Sequence, residues 1–83
     1  MGTDKTREEK RQWILLYLDG RFKKGENVNL QILLSNFAYQ QYSTERTCRE
    51  FLKTFQKLKM ISIKEEEIYK GKKWKLKNKL NNK

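Results

Sequence analysis

The hydrophobic pattern of the chain changes its period near Ile61. Before that residue, apolar side chains recur three and four positions apart, which is typical of α-helices with one buried face. After it, "ISIKEEEIY" and "WKLK" alternate apolar and polar residues, or nearly so, and the "KGKK" between them favours a turn. The sequence therefore predicts an α+β fold in which helices precede a β-hairpin over residues 61–77.

Three helices are predicted ahead of the hairpin, over about residues 6–24, 29–39 and 43–59. For the first helix, Thr6 and Glu9 have the spacing of a capping box. Asn29 can cap the second, and either Ser43 or Thr44 can cap the third.

Length and composition predict a single domain over residues 1–83, with a tail at 78–83 that we expect to fray. The longest apolar run, "WILLYL", is far shorter than the roughly 20 residues that span a bilayer, and no signal-peptide pattern precedes it. The lone Cys48 excludes an intrachain disulfide. We therefore expect a cytoplasmic protein without a membrane partner, associated with the nucleoid or, if viral, located in the host cytoplasm.

The charge balance favours an anionic macromolecular partner. Twenty Lys and Arg against 10 Asp and Glu give a formal net charge of +10, which suits nucleic acid or an anionic membrane surface. The chain has no histidine, one cysteine and no glycine-rich phosphate loop, so no nucleophile-and-base pair or metal-ligand cluster is evident. We expect no enzymatic activity, no cofactor, no metal and no small-molecule substrate.

The third helix has two different faces in the stretch "STERTCREFLKTFQKLKMI". One stripe is apolar and predicted to face the core: Cys48, Phe51, Leu52, Phe55 and Leu58. The opposite stripe is charged: Arg46, Glu50, Lys53 and Lys57, with Arg49 at its edge. From this segment alone, the charged stripe fits both a solvated surface with local ion pairs and a binding face.

The order of three helices, a short extended segment at Val28 and a basic hairpin resembles the winged helix-turn-helix family, over roughly residues 7–77. The string "YSTERTCREFLKTFQKLKMIS" is similar to the recognition helix of that family, although Met60 stands where such strings often carry glycine. The resemblance implies a three-helix domain with a C-terminal hairpin wing, and sequence-specific binding of double-stranded DNA as a transcriptional regulator. Short, basic, stand-alone domains of this type are common among regulators encoded by archaea, viruses and plasmids.

In helix-turn-helix docking, the N-terminal part of the motif's second helix meets base edges in the major groove. The predicted DNA contacts on that helix are Thr44, Arg46, Thr47, Arg49, Lys53 and Lys57. The two arginines have planar donors that suit guanine O6 and N7. The threonines can reach phosphates or a thymine methyl, and the lysines can reach phosphates.

The hairpin is predicted to present a second basic element, with lysines at 70, 72, 73 and 75 around Gly71. As the tip of a wing, Lys70, Lys72 and Lys73 can contact the DNA backbone or minor groove. The alternative is that these lysines protect an exposed strand edge. The three glutamates at 65–67 would repel DNA, and we expect them to pair across the strands with Lys72, Lys73 or Lys75. Trp74 is expected to anchor the second strand on the helices.

The first helix is apolar all round in its middle, and such a helix requires a second cover. We predict a homodimer through Leu15, Leu18 and Phe22; the alternative is a wide stripe covered by the chain itself. Two further functions remain open beside transcriptional regulation. One is a replication or partition role that shares the DNA chemistry, and the other is a protein-interaction or RNA-binding module.

Overall fold

Three helices and three short strands form residues 6–74, the part of the chain that the computed structural model describes. In chain order these are α1 (Arg7–Phe22), β1 (Val28–Asn29), α2 (Leu30–Gln40), α3 (Glu45–Lys57), β2 (Ile61–Lys64) and β3 (Glu67–Lys70). The strands form one antiparallel sheet in the order β1-β3-β2. This confirms the α+β class. The predicted hairpin end at 75–77 and the predicted fraying of the tail at 78–83 lie outside the described residues.

Each helix begins at a side chain that accepts a hydrogen bond from a free backbone N–H. At α1 the predicted capping box is present, since the Glu9 N–H donates to Thr6 Oγ1 at 3.1 Å and the Thr6 N–H donates to Glu9 Oε1 at 2.9 Å. Asn29 Oδ1 caps α2 at 3.0 Å. At α3 the cap is Thr44, which decides between the two predicted candidates.

Each of the three helices is followed by a left-handed residue where the backbone bonds back to the last turn. After α1, Gly25 (φ 75°) donates to the Phe22 carbonyl at 2.9 Å. After α2 this residue is Tyr42 (φ 51°), and the Ser43 N–H donates to the Ala38 carbonyl at 3.2 Å. After α3, Lys59 (φ 66°) takes the same place, and the Met60 N–H donates to the Phe55 carbonyl at 3.0 Å. The corner after α3 therefore needs no glycine at Met60, because the left-handed residue is Lys59.

The hairpin turns at Glu65 and Glu66, not in "KGKK", so the predicted position of the turn is wrong. Both glutamates have positive φ, 49° and 65°, as in a type I′ two-residue turn. The resulting register sets Ile63 opposite Ile68, and Ile68 is fully buried. Ile63 on the same face is partly buried, and the glycine segment follows β3.

The core lies where the three helices meet one face of the sheet. It contains Ile14, Leu15, Leu18, Phe22, Val28, Leu30, Leu33, Leu34, Phe37, Cys48, Phe51, Leu52, Phe55, Ile61 and Ile68. The predicted dimer interface of Leu15, Leu18 and Phe22 belongs to this core, with exposed fractions of 1%, 0% and 8%. These three side chains are therefore not available to a partner, and the prediction for them is wrong.

The other side of α1 is covered by α2. Trp13 packs edge-on against Phe37, with 5.9 Å between ring centroids. Asn36 Nδ2 donates to the Tyr17 hydroxyl at 3.4 Å. The helix that is apolar all round thus packs within its own chain on two sides, while Leu16 remains exposed.

Trp74 follows β3 and attaches that end of the sheet to α1. Its ring packs edge-on against Phe22 at 5.0 Å, and its Nε1–H donates to Asp19 Oδ1 at 3.1 Å. The expectation that Trp74 anchors the hairpin on the helices is thus met, although Trp74 lies beyond the strand. Across residues 6–74, no helix combines the length and apolar content that crossing a membrane requires.

Candidate nucleic-acid interface

The charged side of α3 projects away from the core. Cys48, Phe51, Leu52 and Phe55 are buried on one side, and the opposite side carries the outer face of α3, which consists of Arg46, Arg49, Glu50, Lys53 and Lys57. All five outer residues are exposed. From the first to the last, this face extends about 16 Å at the helical rise of 1.5 Å per residue.

Cations dominate the outer face because its acidic residue offsets little of their charge. Glu50 Oε2 lies 3.8 Å from Arg46 Nε, one helical turn away, and the Arg46 side chain is 88% exposed. Such a solvated pair is weak, so the guanidinium remains available to a ligand. Within residues 6–74, Arg49, Lys53 and Lys57 have no acidic partner within ion-pair distance.

The two predicted threonine contacts are engaged in the helix cap. Thr44 Oγ1 accepts from the Thr47 N–H at 3.2 Å and lies 3.2 Å from Thr47 Oγ1. Thr44 is exposed and Thr47 is half-buried. Both hydroxyls lie at the start of α3. Any hydrogen bond that they make to a ligand would be additional to the bonds of this cap.

A groove of about 560 Å³ separates α3 from the start of α2 and from β2. Arg46, Arg49 and Lys53 lie on its α3 side, while Leu30 and Ile63 line it from the other elements. We call it the basic groove. It adjoins the N-terminal half of the outer face, so a ligand on that face also meets the side of the hairpin.

The lysine loop, residues 70–73, lies beside the C-terminal end of α3. The Gly71 N–H donates to the Met60 carbonyl at 2.7 Å, and the Lys73 N–H donates to the Lys59 carbonyl at 3.1 Å. A Cβ on Gly71 would lie 2.5 Å from the Lys59 carbonyl oxygen, so only glycine permits this approach. The exposed cations brought to this end of the molecule are Lys57, Lys59, Lys70, Lys72 and Lys73.

The tip of the hairpin is acidic, which corrects the prediction of a lysine-bearing tip. Glu65 and Glu66 are exposed at the turn, and the Glu66 carbonyl accepts from the Leu30 N–H at 2.9 Å. Strands of four residues place this turn about 13 Å from the lysine loop. The predicted pairing of the three glutamates with Lys72 or Lys73 is therefore wrong, and Lys75 lies outside the described residues. Glu67 pairs with Lys64 in the strand register.

Two tyrosines at the connection between α2 and α3 were missed by the prediction. Tyr39 is 78% exposed and Tyr42 is 64% exposed, and Tyr42 has a left-handed backbone with φ 51°. Tyr39 lies in the last turn of α2, and Tyr42 lies two residues before the Thr44 cap. Their signal in the sequence is "AYQQY", two aromatic residues in a polar connection and outside the apolar stripe of α2.

Cys48 is fully buried on the inner side of α3. Burial raises the pKa of its thiol to about 12, so the group stays protonated and packs as a small apolar side chain.

Among the exposed groups of the outer face of α3 and the lysine loop, guanidinium and ammonium donors, which bind anions, outnumber carboxylates. Comparison with known proteins finds no matching family model, no matching curated protein and no matching solved structure.

Proposed function

We propose that the protein is a winged helix-turn-helix domain that binds double-stranded DNA with α3 in the major groove and regulates transcription. The element order supports this proposal, because two helices joined by a short turn are followed by a two-stranded hairpin. The observation that carries it is the outer face of α3, which presents four exposed cations while the opposite side is buried in the core.

The N-terminal half of α3 reads bases in this proposal. Arg46 and Arg49 lie on the exposed side of the first two turns, where helix-turn-helix proteins meet base edges. Their guanidinium groups can each donate two hydrogen bonds to guanine O6 and N7. The distance between them along the helix is about 4.5 Å, so they address neighbouring base pairs.

The C-terminal end of α3 contacts phosphates. The major groove is about 12 Å wide, so a face of about 16 Å extends past its edge onto the sugar-phosphate backbone. Lys57 and the lysine loop occupy that end. The wing contact is then made by the lysine loop at the base of the hairpin. The acidic turn at Glu65 and Glu66 is repelled by phosphates, so the tip of the hairpin stays away from them.

Tyr39 and Tyr42 complete the proposed interface at the other edge of the groove. In helix-turn-helix docking the helix before the recognition helix crosses the backbone, and tyrosine hydroxyls commonly donate to phosphate oxygens. Both side chains are exposed next to the start of α3. Phosphate contacts at the two ends of α3 would fix its register over the bases.

The deciding experiment is selection of bound duplexes from a random DNA pool, repeated at two salt concentrations. We expect enrichment of a short motif that contains guanines, and its loss when Arg46 and Arg49 are both replaced by alanine. Enrichment of no motif would contradict base reading. A duplex RNA of the enriched sequence is the control, because the narrow major groove of A-form RNA does not admit a helix. A replication or partition role would use the same DNA contacts. The location of the enriched motif in the genome, at promoters or at a replication or partition site, distinguishes these roles.

A further inference from the structure

A second groove, with a different lining, opens between α1, the end of α3 and the lysine loop. It encloses about 570 Å³ and is lined by Arg11, Leu15, Thr54, Phe55, Leu58, Met60, Lys72, Lys73 and Trp74. We call it the apolar groove. None of these residues lines the basic groove, so the two grooves are distinct, although Lys72 and Lys73 also belong to the lysine loop of the proposed DNA interface.

The apolar stripe of α3 continues out of the core into this groove. Phe55 is 2% exposed, whereas Leu58, the next residue of the same stripe, is 55% exposed. The helical period predicts Leu58 in the core, and the structure corrects that prediction. Met60 and Trp74 are half-buried beside it. The groove therefore offers three large apolar side chains that the described part of the chain leaves partly in water.

Cations border the apolar floor. Lys72 and Lys73 are exposed on the loop side, and within residues 6–74 neither has a carboxylate within ion-pair distance. Arg11 stands on the α1 side and pairs with Glu8 at 3.0 Å. The residues that follow Trp74 in sequence, 75–83, contain four lysines and no acid. Their charge has the same sign as the border, so charge complementarity favours a different, acidic occupant.

We propose that the apolar groove binds an amphipathic helix of a partner protein, with acidic residues flanking its apolar face. A groove between two helices suits this mode of recognition, in which anchors at i, i+3 or i+4 and i+7 insert into the floor. The anchors pack against Leu58, Met60 and Trp74, and flanking carboxylates reach Lys72 and Lys73. The proposal does not rest on DNA binding, since its apolar anchors and the base-reading residues are different; it shares only Lys72 and Lys73 with the proposed phosphate contacts.

The test is a titration of the full chain, without DNA, with a helix-stabilised peptide that has leucines at i, i+4 and i+7 and glutamates on both flanks. The comparison peptide has lysines in place of the glutamates. Amide chemical shifts and tryptophan fluorescence report binding. We expect the glutamate peptide to bind about tenfold more tightly than the lysine peptide, with shifts confined to residues that line the apolar groove.

Leu58→Gln supplies the site test, and Leu16→Gln is its matched control because Leu16 is an exposed leucine, 52% accessible, outside the groove. We expect Leu58→Gln to weaken the glutamate peptide about tenfold and Leu16→Gln to leave its affinity unchanged. Equal affinity for both peptides, or equal loss in both variants, overturns the proposal. The proposal is also overturned if Leu58→Gln, in the absence of peptide, changes the amide chemical shifts of residues 76–83. That result would identify these residues as the occupant of the groove. If Leu58→Gln fails to fold, Lys72→Glu with Lys73→Glu must reverse the preference toward the lysine peptide.

Discussion

The indole Nε1–H of Trp74 donates a hydrogen bond to Asp19 Oδ1 at 3.1 Å and so connects the chain after the last strand to the last turn of α1. Lys23 Nζ lies 3.2 Å from the other carboxylate oxygen. Burial acts to raise the pKa of Asp19, but the hydrogen bonds from Trp74 and Lys23 outweigh it, and the pKa lies below its ordinary value of 3.8. The ionised carboxylate is thus part of the attachment.

Asp19→Ala is expected to lower the free energy of unfolding by about 1–2 kcal/mol at neutral pH, because the indole N–H loses its acceptor. The folded pKa of Asp19 is depressed, so its contribution is fully present above the ordinary carboxyl pKa and is lost as pH falls through the lower folded value. Urea unfolding at pH 7 and at pH 2 should therefore show a smaller difference between variant and wild type at the lower pH. Asp19→Asn is the control for charge, since its amide oxygen can still accept. A deficit that is the same at both pH values would contradict the role of the ionised carboxylate.

Lys59→Gly is expected to raise the free energy of unfolding by about 1 kcal/mol. Lys59 holds a φ of 66° at the corner between α3 and β2, a conformation that costs an L-residue about 1–2 kcal/mol and costs glycine little. Thermal or urea denaturation measures the effect. Lys59→Ala removes the same charge and keeps the backbone cost, so it should leave stability nearly unchanged. Equal gains in both variants would mean that charge, not backbone conformation, is responsible.

Gly71→Ala is expected to destabilise the fold by about 2 kcal/mol, because its Cβ must displace the backbone of the α3–β2 corner. The nearest atom would be the Lys59 carbonyl oxygen, at 2.5 Å. Gly20→Ala is the matched control, since a Cβ there meets nothing within 4 Å and Gly20 lies inside α1. That control should gain about 0.5–1 kcal/mol from helix propensity. A stable Gly71→Ala variant would show that the lysine loop can detach from α3 at little cost.

Arg46→Ala and Arg49→Ala are each expected to cost about 1–3 kcal/mol on the selected DNA site and to relax base preference at one position. Affinity for unrelated duplexes should fall much less. Fluorescence anisotropy with the selected site and single-base variants measures this. Lys24→Ala is the control, because Lys24 is an exposed cation on the connection between α1 and β1. If the arginine variants lose the same affinity for every duplex, Arg46 and Arg49 contact phosphates and do not read bases.

Lys72→Ala is expected to weaken all duplexes alike and to lower the slope of log affinity against log salt by about one. The loop that carries Lys72 lies beside the end of α3, where phosphates are the proposed target. Titrations at several salt concentrations provide the slope. An unchanged slope would remove the lysine loop from the DNA interface and leave it to the apolar groove alone.

Local chemistry made the helix starts predictable, because a capping residue and its bonded N–H lie within three positions of each other. Thr6 with Glu9, and Asn29, behave as their spacing indicates. The two faces of α3 followed from the helical period in the same way, since every buried residue of that helix lies on the predicted stripe. These features need no knowledge of distant parts of the chain.

Features that depend on tertiary neighbours were mispredicted. The hairpin register buries Ile61 and Ile68, and this burial outweighs the turn preference of glycine and places two glutamates in left-handed conformations. The exposure of Leu58 depends on where the neighbouring elements end, which a periodic stripe does not reveal. The placement of Leu15 and its neighbours in the core depends on how the other helices and the sheet pack on α1. An all-round apolar helix does not specify whether its own chain or a second copy provides that cover.

The strand that comes last along the described chain is also the one in the middle of the sheet. β3 pairs with β2 on one side and, from Ile68 to Val28, across 40 positions on the other. During synthesis, β1 and β2 have no partner strand until β3 has left the ribosome. Until then, their backbone N–H and C=O groups that will bond to β3 remain in contact with water. The sheet can therefore close only after all three helices have emerged.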